Sequence, residues 1–556
     1  MRLTNSIYLL LILCLSISVN AQQTLGVFKY DSLSFEGYSL FAPTAYSSTY
    51  LIDNCGREIN SWPGSSTPGL SAYLLPSGHL LRTSRIISSL FLGGGAGGLI
   101  EKKTWDGILV WKYEYLSDRF QQHHDIEYLA NGNILLLSWD YITGSEAIAA
   151  GRDPSLIGAG TWAERITEIE PIGTDSANIV WEWVMMDHIV QDFNPVLPNF
   201  GVVAEHPEKF NLNWVHNPTG SDFSDWIHAN SVSYNPERDE IIFSSHNFSE
   251  VWIIDHSTTT AEAATSTGGN SGNGGDILYR YGNPQTYDRG TAADQVFFQQ
   301  HDAQWITLGE DSGKLMVFNN GVGRPFGNSS SIDIWEPVLD GSDNYETPVS
   351  DPFGPDNLIY QWTADPLSDF YSKNVGGVQI MPNGNFLICE GAEGRVFETD
   401  RSGIIHWEYE VPVGLSGPLG QGVPAVNNQT FRMYRYAPDY PGLVGTDLTP
   451  GKVIELNPTD TSCSVYTPPL STALNEIPDQ VLSPAFPNPF QQEIWIPSGI
   501  MDDNPPQLYN LQGQFLLLGT QQGRYWHFNT AELSSGIYLL RQGNKSWKVI
   551  KNGNSF

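Results

Sequence analysis

Short apolar segments separated by Gly, Pro, Asn or Asp recur along most of the chain. This spacing is typical of short β-strands joined by tight turns. The clearest examples carry a Pro/Asn-Gly type turn between two apolar segments: YLLPSGHLL at 73–81, YLANGNILLL at 128–137 and QIMPNGNFLI at 379–388. Because such a turn between apolar segments is a strong hairpin signal, the pattern predicts a chain of β-hairpins.

A second hairpin type alternates with the first and ends in a Trp/Tyr-rich strand, as at 102–115, 166–184 and 396–410. Repeated four-stranded units of about 40–60 residues are typical of propeller blades. The segment 49–62 has only the second half of a unit, and 431–440 is a strand without a partner, so their pairing would close a ring. The predicted fold class is all-β: a six-bladed β-propeller followed by a small C-terminal β-sandwich. A large β-sandwich or a β-solenoid is the alternative.

Three histidines share one offset, about seven residues before the turn of a hairpin: His124, His228 and His301. Side chains alternate between the two faces of a strand, so a matched offset predicts equivalent positions that converge if the repeats surround an axis. Neutral imidazole is a nitrogen nucleophile near pH 7, and imidazolium donates hydrogen bonds to anions. The pattern therefore predicts a cavity in which one histidine attacks and the others hold an anionic group.

Two further polar residues are expected beside these histidines. His246 follows the second strand of its repeat, one strand away from His228, and is predicted to lie near the same axis. Asn230, two residues after His228, is predicted to share its face and to orient a ring or a substrate oxygen.

The residues that flank the histidines are predicted to have structural roles. Alternation turns His123 away from His124, so His123 is expected to be structural. Asp125 and Asp302 follow their histidines on the opposite face and are expected to tie neighbouring blades together.

Two glycine-rich stretches complete the candidate features. GGGAGG at 93–98 lacks a following P-loop lysine or a dinucleotide-binding context and is interpreted as a simple loop. GGNSGNGG at 268–275 is interpreted as a flexible insertion between strands and a candidate lid over one face of the propeller.

The chain of 556 residues has a formal net charge of −33, which argues against nucleic acid and against anionic lipid as partners. Residues 1–21 have the composition of a secretory signal peptide, and no other segment is long enough for a membrane span. Three cysteines remain after this signal: Cys389 is expected to be a buried small hydrophobe, and a Cys55–Cys463 disulfide is one option for the others.

The pattern changes near the C-terminus. After a Pro/Ser/Thr-rich stretch come FPNPF at 486–490, YNLQGQ at 509–514, LSSGIYLLR at 533–541 and a basic end. These motifs resemble the C-terminal sorting domain of the type IX secretion system of Bacteroidetes. The resemblance implies export by that machinery and a secreted or cell-surface protein. The predicted domains are a signal peptide (1–21), the propeller (22–465), a linker (466–482) and the sorting domain (483–556).

The histidine-bearing segments carry a second resemblance. HANSVSYNPERDEIIFSS, QQHDAQWITLG and HHDIEYLANGNILLL resemble the bacterial arylsulfotransferase family, over most of 38–465. Members of that family are six-bladed propellers that move a sulfuryl group from a phenolic sulfate ester to a phenol acceptor. They use no nucleotide sulfate donor (PAPS) and no other cofactor, and they pass through a sulfated histidine.

By motif position, the resemblance implies that His301 carries the sulfuryl group and that His124 and His228 bind its oxygens. The family places an arginine where this chain has His246, which is interpreted as a stand-in for it. Imidazole replaces the arginine charge only when protonated and lacks the forked donors of guanidinium. No metal site is predicted. The alternatives are a non-catalytic secreted propeller that binds a sulfated or aromatic ligand or a protein partner, and a metal-dependent hydrolase.

Overall fold

The computed structural model describes residues 23–158, 160–216, 224–459, 462–466, 490, 492–497, 505–510, 515–522, 525–542 and 545–551. The predicted signal peptide and all but the first residue of the predicted linker lie outside these ranges. The chain is 44% strand and 8% helix, which confirms the all-β class.

Within the described part of 26–436, six antiparallel sheets have four or five strands each. They are numbered here in chain order, with the strands of each given in spatial order. Sheet 1 consists of Thr430–Tyr436, Tyr38–Pro43, Thr49–Asp53 and Glu58–Trp62; sheet 2 of Pro68–Leu74, Leu80–Arg85, Gly98–Lys103 and Leu109–Glu114; sheet 3 of Phe120–Tyr128, Ile134–Ile142, Thr161–Ile172 and Ser176–Val184; sheet 4 of Ala229–Asn235, Glu240–Ser245, Glu250–Asp255 and Tyr279–Tyr281; sheet 5 of His301–Trp305, Leu315–Asn319, Ser331–Trp335 and Tyr360–Trp362; and sheet 6 of Gly377–Ile380, Phe386–Glu390, Arg395–Thr399, Ile405–Glu410 and Gly26–Tyr30.

The remaining elements are short. Two small sheets pair Ile189–Val190 with Phe210–Asn211 and Val413–Gly414 with Gly417–Pro418. The α-helices are Gly144–Ala149 and Thr260–Ala263, and the 3₁₀ helices are Pro154–Leu156, Met185–His188, Val203–Glu205, Pro284–Tyr287, Ala292–Asp294, Gly309–Asp311, Leu367–Asp369 and Pro441–Leu443.

The predicted hairpin turns are present where the sequence places them. Gly132 and Gly384 adopt φ of +92° and +88°, a left-handed conformation that glycine reaches without steric cost. Each turn joins the first two strands of a sheet, so the apolar residues on both sides enter one ladder.

The two ends of the repeat region meet in sheet 1. Tyr38 pairs with Tyr436 and Leu40 with Tyr434, so the strand from residue 430 onward completes the sheet that begins at residue 38. The segment 49–62 lies in this sheet with Thr430–Tyr436, as predicted, but the two do not pair directly, because Tyr38–Pro43 stands between them. The disulfide between Cys55 and Cys463 links the same two regions of the chain, and Cys389 is free and buried as expected.

Hydrophobic cores fill the spaces between consecutive sheets. One core joins sheets 3 and 4 through Trp183, Phe243 and Trp252, and corresponding cores join the other neighbours around to sheets 6 and 1. Each sheet therefore buries both faces against neighbours, which explains the long runs of buried residues in strands such as Glu240–Ser245.

The first strands of the sheets are joined by buried polar groups. Asp125 accepts hydrogen bonds from the Tyr73 hydroxyl (2.6 Å) and, through its other oxygen, pairs with Arg432 (2.7 Å). Asp302 pairs with the same guanidinium at 3.0 Å and accepts from the Val378 amide at 2.8 Å. The prediction that both aspartates tie neighbouring repeats together is confirmed.

The stretch 268–275 does not form a lid over the histidines. It follows the strand Glu250–Asp255, where the Ser271 amide donates to the Asp255 carboxylate (2.8 Å). His246 lies just before the other end of that strand, at Glu250. An antiparallel sheet places these two connections at opposite ends, so the stretch lies at the face away from the histidines, and its interpretation as a lid over one face stays a prediction.

The C-terminal segment forms two sheets of its own within its described residues. One contains Glu493–Pro497, Tyr525–Asn529 and Thr520–Gln522; the other contains Phe515–Leu518, Gln507–Asn510, Gly536–Gln542 and Lys545–Lys551. Residues of both sheets share one core, including Ile494, Phe528 and Leu540.

Candidate active site

Four histidines from three consecutive sheets form a continuous row. The ring centroids of His124 and His228 are 4.8 Å apart, those of His228 and His246 are 5.1 Å apart, and those of His246 and His301 are 5.9 Å apart. His124 and His301, at the two ends of the row, are 3% and 2% exposed, whereas His228 and His246 between them are partly exposed. The structure thus brings together the four histidines singled out in the sequence.

Irregular backbone turns these rings toward one another. His124 and His228 have φ of +48° and +51°, a left-handed conformation that costs a non-glycine residue on the order of 1 kcal/mol. The ladders of the first strands of sheets 3, 4 and 5 also shift register beside their histidines. Such bulges re-aim side chains and are common next to active sites.

The same irregularity overturns the expectation for His123. Strict alternation predicted that it faces away from His124, but its Nδ1 lies 2.8 Å from Nδ1 of His124 and its side chain is fully buried. Its Nε2 lies 2.9 Å from a carboxylate oxygen of Glu164, and its ring stacks on Trp139 at 4.2 Å. Alternation fails because the left-handed residue at 124 interrupts the pleat.

His301 has a defined tautomer. Its Nδ1 lies 2.7 Å from Oδ1 of Asn320, whose amide nitrogen donates to the carbonyl oxygens of Ser372 (2.8 Å) and Val375 (2.9 Å). These two bonds fix the orientation of the amide, so its oxygen must accept a proton from Nδ1 of His301. The lone pair of His301 is therefore on Nε2, which has no hydrogen-bond partner among the described residues.

Burial also keeps His301 uncharged. Desolvation, reinforced by the nearby His246, lowers the pKa of His301 well below its usual 6.5. A neutral ring with a free Nε2 lone pair is the nucleophilic form of imidazole.

His228 is the charged member of the row. Its Nδ1 lies 2.6 Å from a carboxylate oxygen of Asp225. Burial opposes charge on both groups, but their mutual attraction outweighs it, raising the pKa of His228 and lowering that of Asp225. His228 therefore places an imidazolium beside two neutral rings. Asp225, three residues before His228, was not among the residues predicted from the sequence.

His246 does not supply the positive charge of an arginine. Burial, followed by the charge of His228, lowers the pKa of His246 from 6.5 to about 3. Its Nδ1 lies 2.8 Å from Oδ1 of Asn247, whose amide nitrogen donates to the carbonyl of Asp225 at 2.7 Å. The amide orientation again requires a proton on Nδ1 of His246, so Nε2 is a proton acceptor. In its neutral form His246 therefore takes the place of the family arginine without the arginine's charge.

The glycine-rich stretch 93–98 is part of the site. A Cβ at Gly95 would lie 2.1 Å from Cε1 of His124, and the Gly95 carbonyl accepts from the His124 amide at 2.8 Å. A Cβ at Gly93 would lie 3.2 Å from an Asp225 oxygen. The run of glycines allows the backbone to approach the histidine ring closely. The interpretation of this stretch as a simple loop missed that role.

Asn230 is buried, and its amide nitrogen donates to the backbone carbonyl of Gln300 at 2.7 Å. Gln300 directly precedes His301, so this bond links the sheet that carries His228 to the segment that carries His301. Its Oδ1 atom is buried without a protein partner.

No group of three or more His, Cys, Asp and Glu residues in the described ranges has an arrangement that could hold a metal ion. No helix in the same ranges is long and apolar enough to cross a membrane.

Comparison with solved structures finds distant similarities. A protein of unknown function from Bacteroides caccae is 11% identical over 68% of this chain and 94% of its own (TM-score 0.36). Virginiamycin B lyase from Staphylococcus aureus is 13% identical over 71% and 89% (TM-score 0.30), and Kuenenia stuttgartiensis hydrazine synthase is 11% identical over 56% and 71% (TM-score 0.31). These scores are too low to inform on activity. No curated protein matches the chain.

Two family models match the sequence directly. Residues 107–411 match Arylsulfotransferase (ASST), and residues 484–552 match the Secretion system C-terminal sorting domain. The first range contains all four histidines of the row. The second indicates export, with the protein secreted or held at the cell surface. The chain therefore belongs to the arylsulfotransferase family and carries a C-terminal sorting domain of the type IX secretion system.

Proposed function

We propose that the protein is a PAPS-independent aryl-sulfate sulfotransferase that works through a sulfohistidine at His301. The donor is a phenolic sulfate ester and the acceptor a phenol. The observation that carries the proposal is the tautomer of His301, whose Nδ1 proton is held by Asn320 and whose Nε2 lone pair is free. Family membership supports the substrate class.

In the first half-reaction, the Nε2 lone pair of His301 forms a bond to sulfur as the bond between sulfur and the phenolic oxygen breaks. The electron pair leaves with the phenolate. The His228 imidazolium and the His124 ring lie along the row, where they donate to the sulfuryl oxygens while negative charge is redistributed.

In the second half-reaction, the acceptor oxygen forms a bond to sulfur and the nitrogen–sulfur bond breaks, returning the lone pair to Nε2 of His301. The acceptor proton passes to Nε2 of His246, which is unprotonated and beside His301. His246 thus acts as a base in the position where the family has an arginine. Asn230 supports the site from behind by holding the backbone next to His301.

The same proposal includes the architecture. The six sheets form a closed six-bladed β-propeller over residues 22–465, supported by the pairing of the two chain ends in sheet 1 and the cores between consecutive sheets. The two C-terminal sheets form a small β-sandwich within 483–556, which the secretion machinery recognises, preceded by a linker at 466–482. A signal peptide at 1–21 starts export.

The two alternatives have less support. A metal-dependent hydrolase needs a set of ligands, and the described residues contain none. A non-catalytic binding module does not need a histidine with a fixed tautomer and a free lone pair.

Incubating the protein with a chromogenic aryl sulfate, with and without a phenol acceptor and with and without chelator, tests the proposal. Phenol-dependent turnover that chelator does not reduce, with a sulfuryl-mass adduct on the protein when the acceptor is omitted, is the expected result. Chelator-sensitive release without acceptor would indicate the hydrolase, and saturable binding without release would indicate the binding module.

A further inference from the structure

A buried chain of three titratable groups approaches the row of histidines from behind. Oε2 of Glu164 lies 2.9 Å from Nε2 of His123, and Nδ1 of His123 lies 2.8 Å from Nδ1 of His124. Glu164 and His123 have no exposed surface. Neither Glu164 nor His123 belongs to the row, yet this series of hydrogen bonds ends at His124, which does.

The bond between the two rings contains a single proton, since both atoms are Nδ1 of neutral imidazoles. If His123 holds that proton, His124 carries its own proton on Nε2 and presents a donor to the site. If His124 holds it, Nε2 of His124 is a bare lone pair that repels an anionic sulfuryl group. The direction of this one bond therefore decides whether His124 binds or repels the group.

The surroundings of Glu164 favour the first arrangement. Its Oε1 accepts a hydrogen bond from the Ala229 amide at 2.9 Å, which leaves Oε2 to carry a proton as a carboxylic acid does. Burial raises the pKa of Glu164 well above its usual value and lowers that of His123 well below 6.5. A protonated Glu164 donates to Nε2 of His123, and His123 must then place its only proton on Nδ1, toward His124.

We propose that Glu164 and His123 are positioning residues that hold His124 in the Nε2–H tautomer, so that it donates to the sulfuryl oxygens. The assignment rests on the proposed function for its catalytic consequence. Trp139, stacked on His123 with an angle of 12° between the planes, keeps that ring aligned with both partners. Glu164 also bonds the amide that follows His228, so one carboxyl group supports two members of the row.

Two replacements of Glu164 distinguish a donor from an anion. Glu164→Gln keeps an N–H for His123 and a carbonyl for Ala229, so transfer of the sulfuryl group is expected to stay within about threefold of the wild type. Glu164→Leu removes the donor and is expected to lower kcat/KM by roughly 10- to 100-fold, the usual loss when the partner that orients a histidine is removed.

A matched control lies on the same strand. Glu168 is a second buried carboxylate that bonds a histidine, His256, at 3.0 Å, away from the row. Glu168→Gln disturbs a similar pair and is expected to leave sulfuryl transfer unchanged.

Histidine ¹⁵N chemical shifts measure the tautomer without relying on activity. In the wild type, His124 is expected to show a protonated Nε2 and a bare Nδ1. His123→Asn retains an N–H at the place of Nδ1 and is expected to preserve this signature, whereas His123→Phe, which still stacks on Trp139, is expected to lose it together with activity.

Equal losses in Glu164→Gln and Glu164→Leu, or a bare Nε2 on His124 in the wild type, would overturn the assignment. If the wild type transfers no sulfuryl group but His124 shows the expected shifts, the proposed function fails and the tautomer assignment stands. If transfer requires His301 but both Glu164 variants match the wild type, only the assignment fails.

Discussion

Histidines in the row and buried histidines elsewhere use their ring nitrogens differently. His256 bonds Asp239 through Nδ1 (2.7 Å) and Glu168 through Nε2 (3.0 Å), and His188 bonds Asp276 and the Ala263 carbonyl. Each histidine in the row bonds a protein group through Nδ1 only. Within the described residues, their Nε2 atoms have no protein partner.

The difference separates structural from functional imidazoles. The Nε2 atoms of the row are therefore available to a ligand, whereas the fold uses both ring nitrogens of His256 and His188. The strand Thr161–Ile172 carries two glutamates that each bond a histidine, Glu164 with His123 and Glu168 with His256, and the two histidines differ in charge. Burial opposes charge on His256, but the hydrogen bonds that it donates to Glu168 and Asp239 outweigh burial and raise its pKa, whereas burial and the charge of His228 lower the pKa of His123.

The largest effect is expected at the nucleophile. His301→Asn removes the Nε2 lone pair and is expected to lower sulfuryl transfer by more than about 10³-fold and to abolish the covalent adduct. Assays with the chromogenic donor and intact-protein mass measure both. His256→Gln, at a partly buried histidine with both nitrogens bonded, is the control; an equal loss there would remove the distinction between the two groups.

His246→Gln separates the two half-reactions. Without the base, transfer to weakly acidic phenols is expected to fall by about 10²-fold, a typical contribution of general-base catalysis. The initial burst of phenolate from the donor is expected to persist, because that step needs no proton acceptor. Stopped-flow measurement of the burst and of the steady state separates the two half-reactions. Loss of the burst would contradict the assignment of His246 as a base.

Two glycines with similar backbone conformations test the contact at His124. Gly95 and Gly107 have φ of +84° and +79°, but an added Cβ meets the His124 ring at Gly95 and nothing within 4 Å at Gly107. Gly95→Ala is expected to displace that ring and reduce kcat/KM by about 10²-fold, the scale of a misplacement near 1 Å. Gly107→Ala carries the same backbone strain and is expected to leave kcat/KM unchanged; a similar loss in both would attribute the effect to strain.

Asp225→Asn alters the charge of the row. The pKa of His228 is raised above 6.5, so the imidazolium is present below that raised value and disappears as pH increases through it. The variant is expected to lower this pKa, because burial then acts on His228 without the opposing carboxylate, and so to move the alkaline limb of the kcat/KM profile to lower pH. An unshifted limb would mean that His228 acts as a neutral donor.

The smallest expected effect on activity is that of His256→Gln, which acts on stability. The raised pKa of His256 contributes stability present below 6.5 and lost as pH rises through the raised value. The lowered pKa of Glu168 contributes stability present above 4.5 and lost as pH falls through the lowered value. Denaturant unfolding is expected to show that the free energy of unfolding falls by about 1–3 kcal/mol. The loss is expected to be greatest between about pH 4.5 and pH 6.5, where both contributions are fully present, and sulfuryl transfer is expected to stay unchanged. A loss independent of pH would show that the pair is not ionic.

Several features were predictable because their signals are local. Asn-Gly and Pro-Asn-Gly turns between apolar segments specify hairpins through backbone conformation alone, and Gly132 and Gly384 adopt the expected left-handed geometry. The segments at the two ends were predicted to join in one sheet, since a strand edge without a partner is costly; they do so with Tyr38–Pro43 between them. Similar offsets from turns predicted that His124, His228 and His301 would meet, and irregular backbone beside them completes the row.

The chemical state of that row was decided only by the tertiary structure. Left-handed residues and bulges interrupt the alternation from which His123 was assigned to the opposite face. The protons of His301 and His246 depend on the amides of Asn320 and Asn247, whose orientations are fixed by carbonyls outside the histidine strands. Sequence periodicity determines which strands form, whereas ring tautomers and charges depend on burial and on contacts between distant segments.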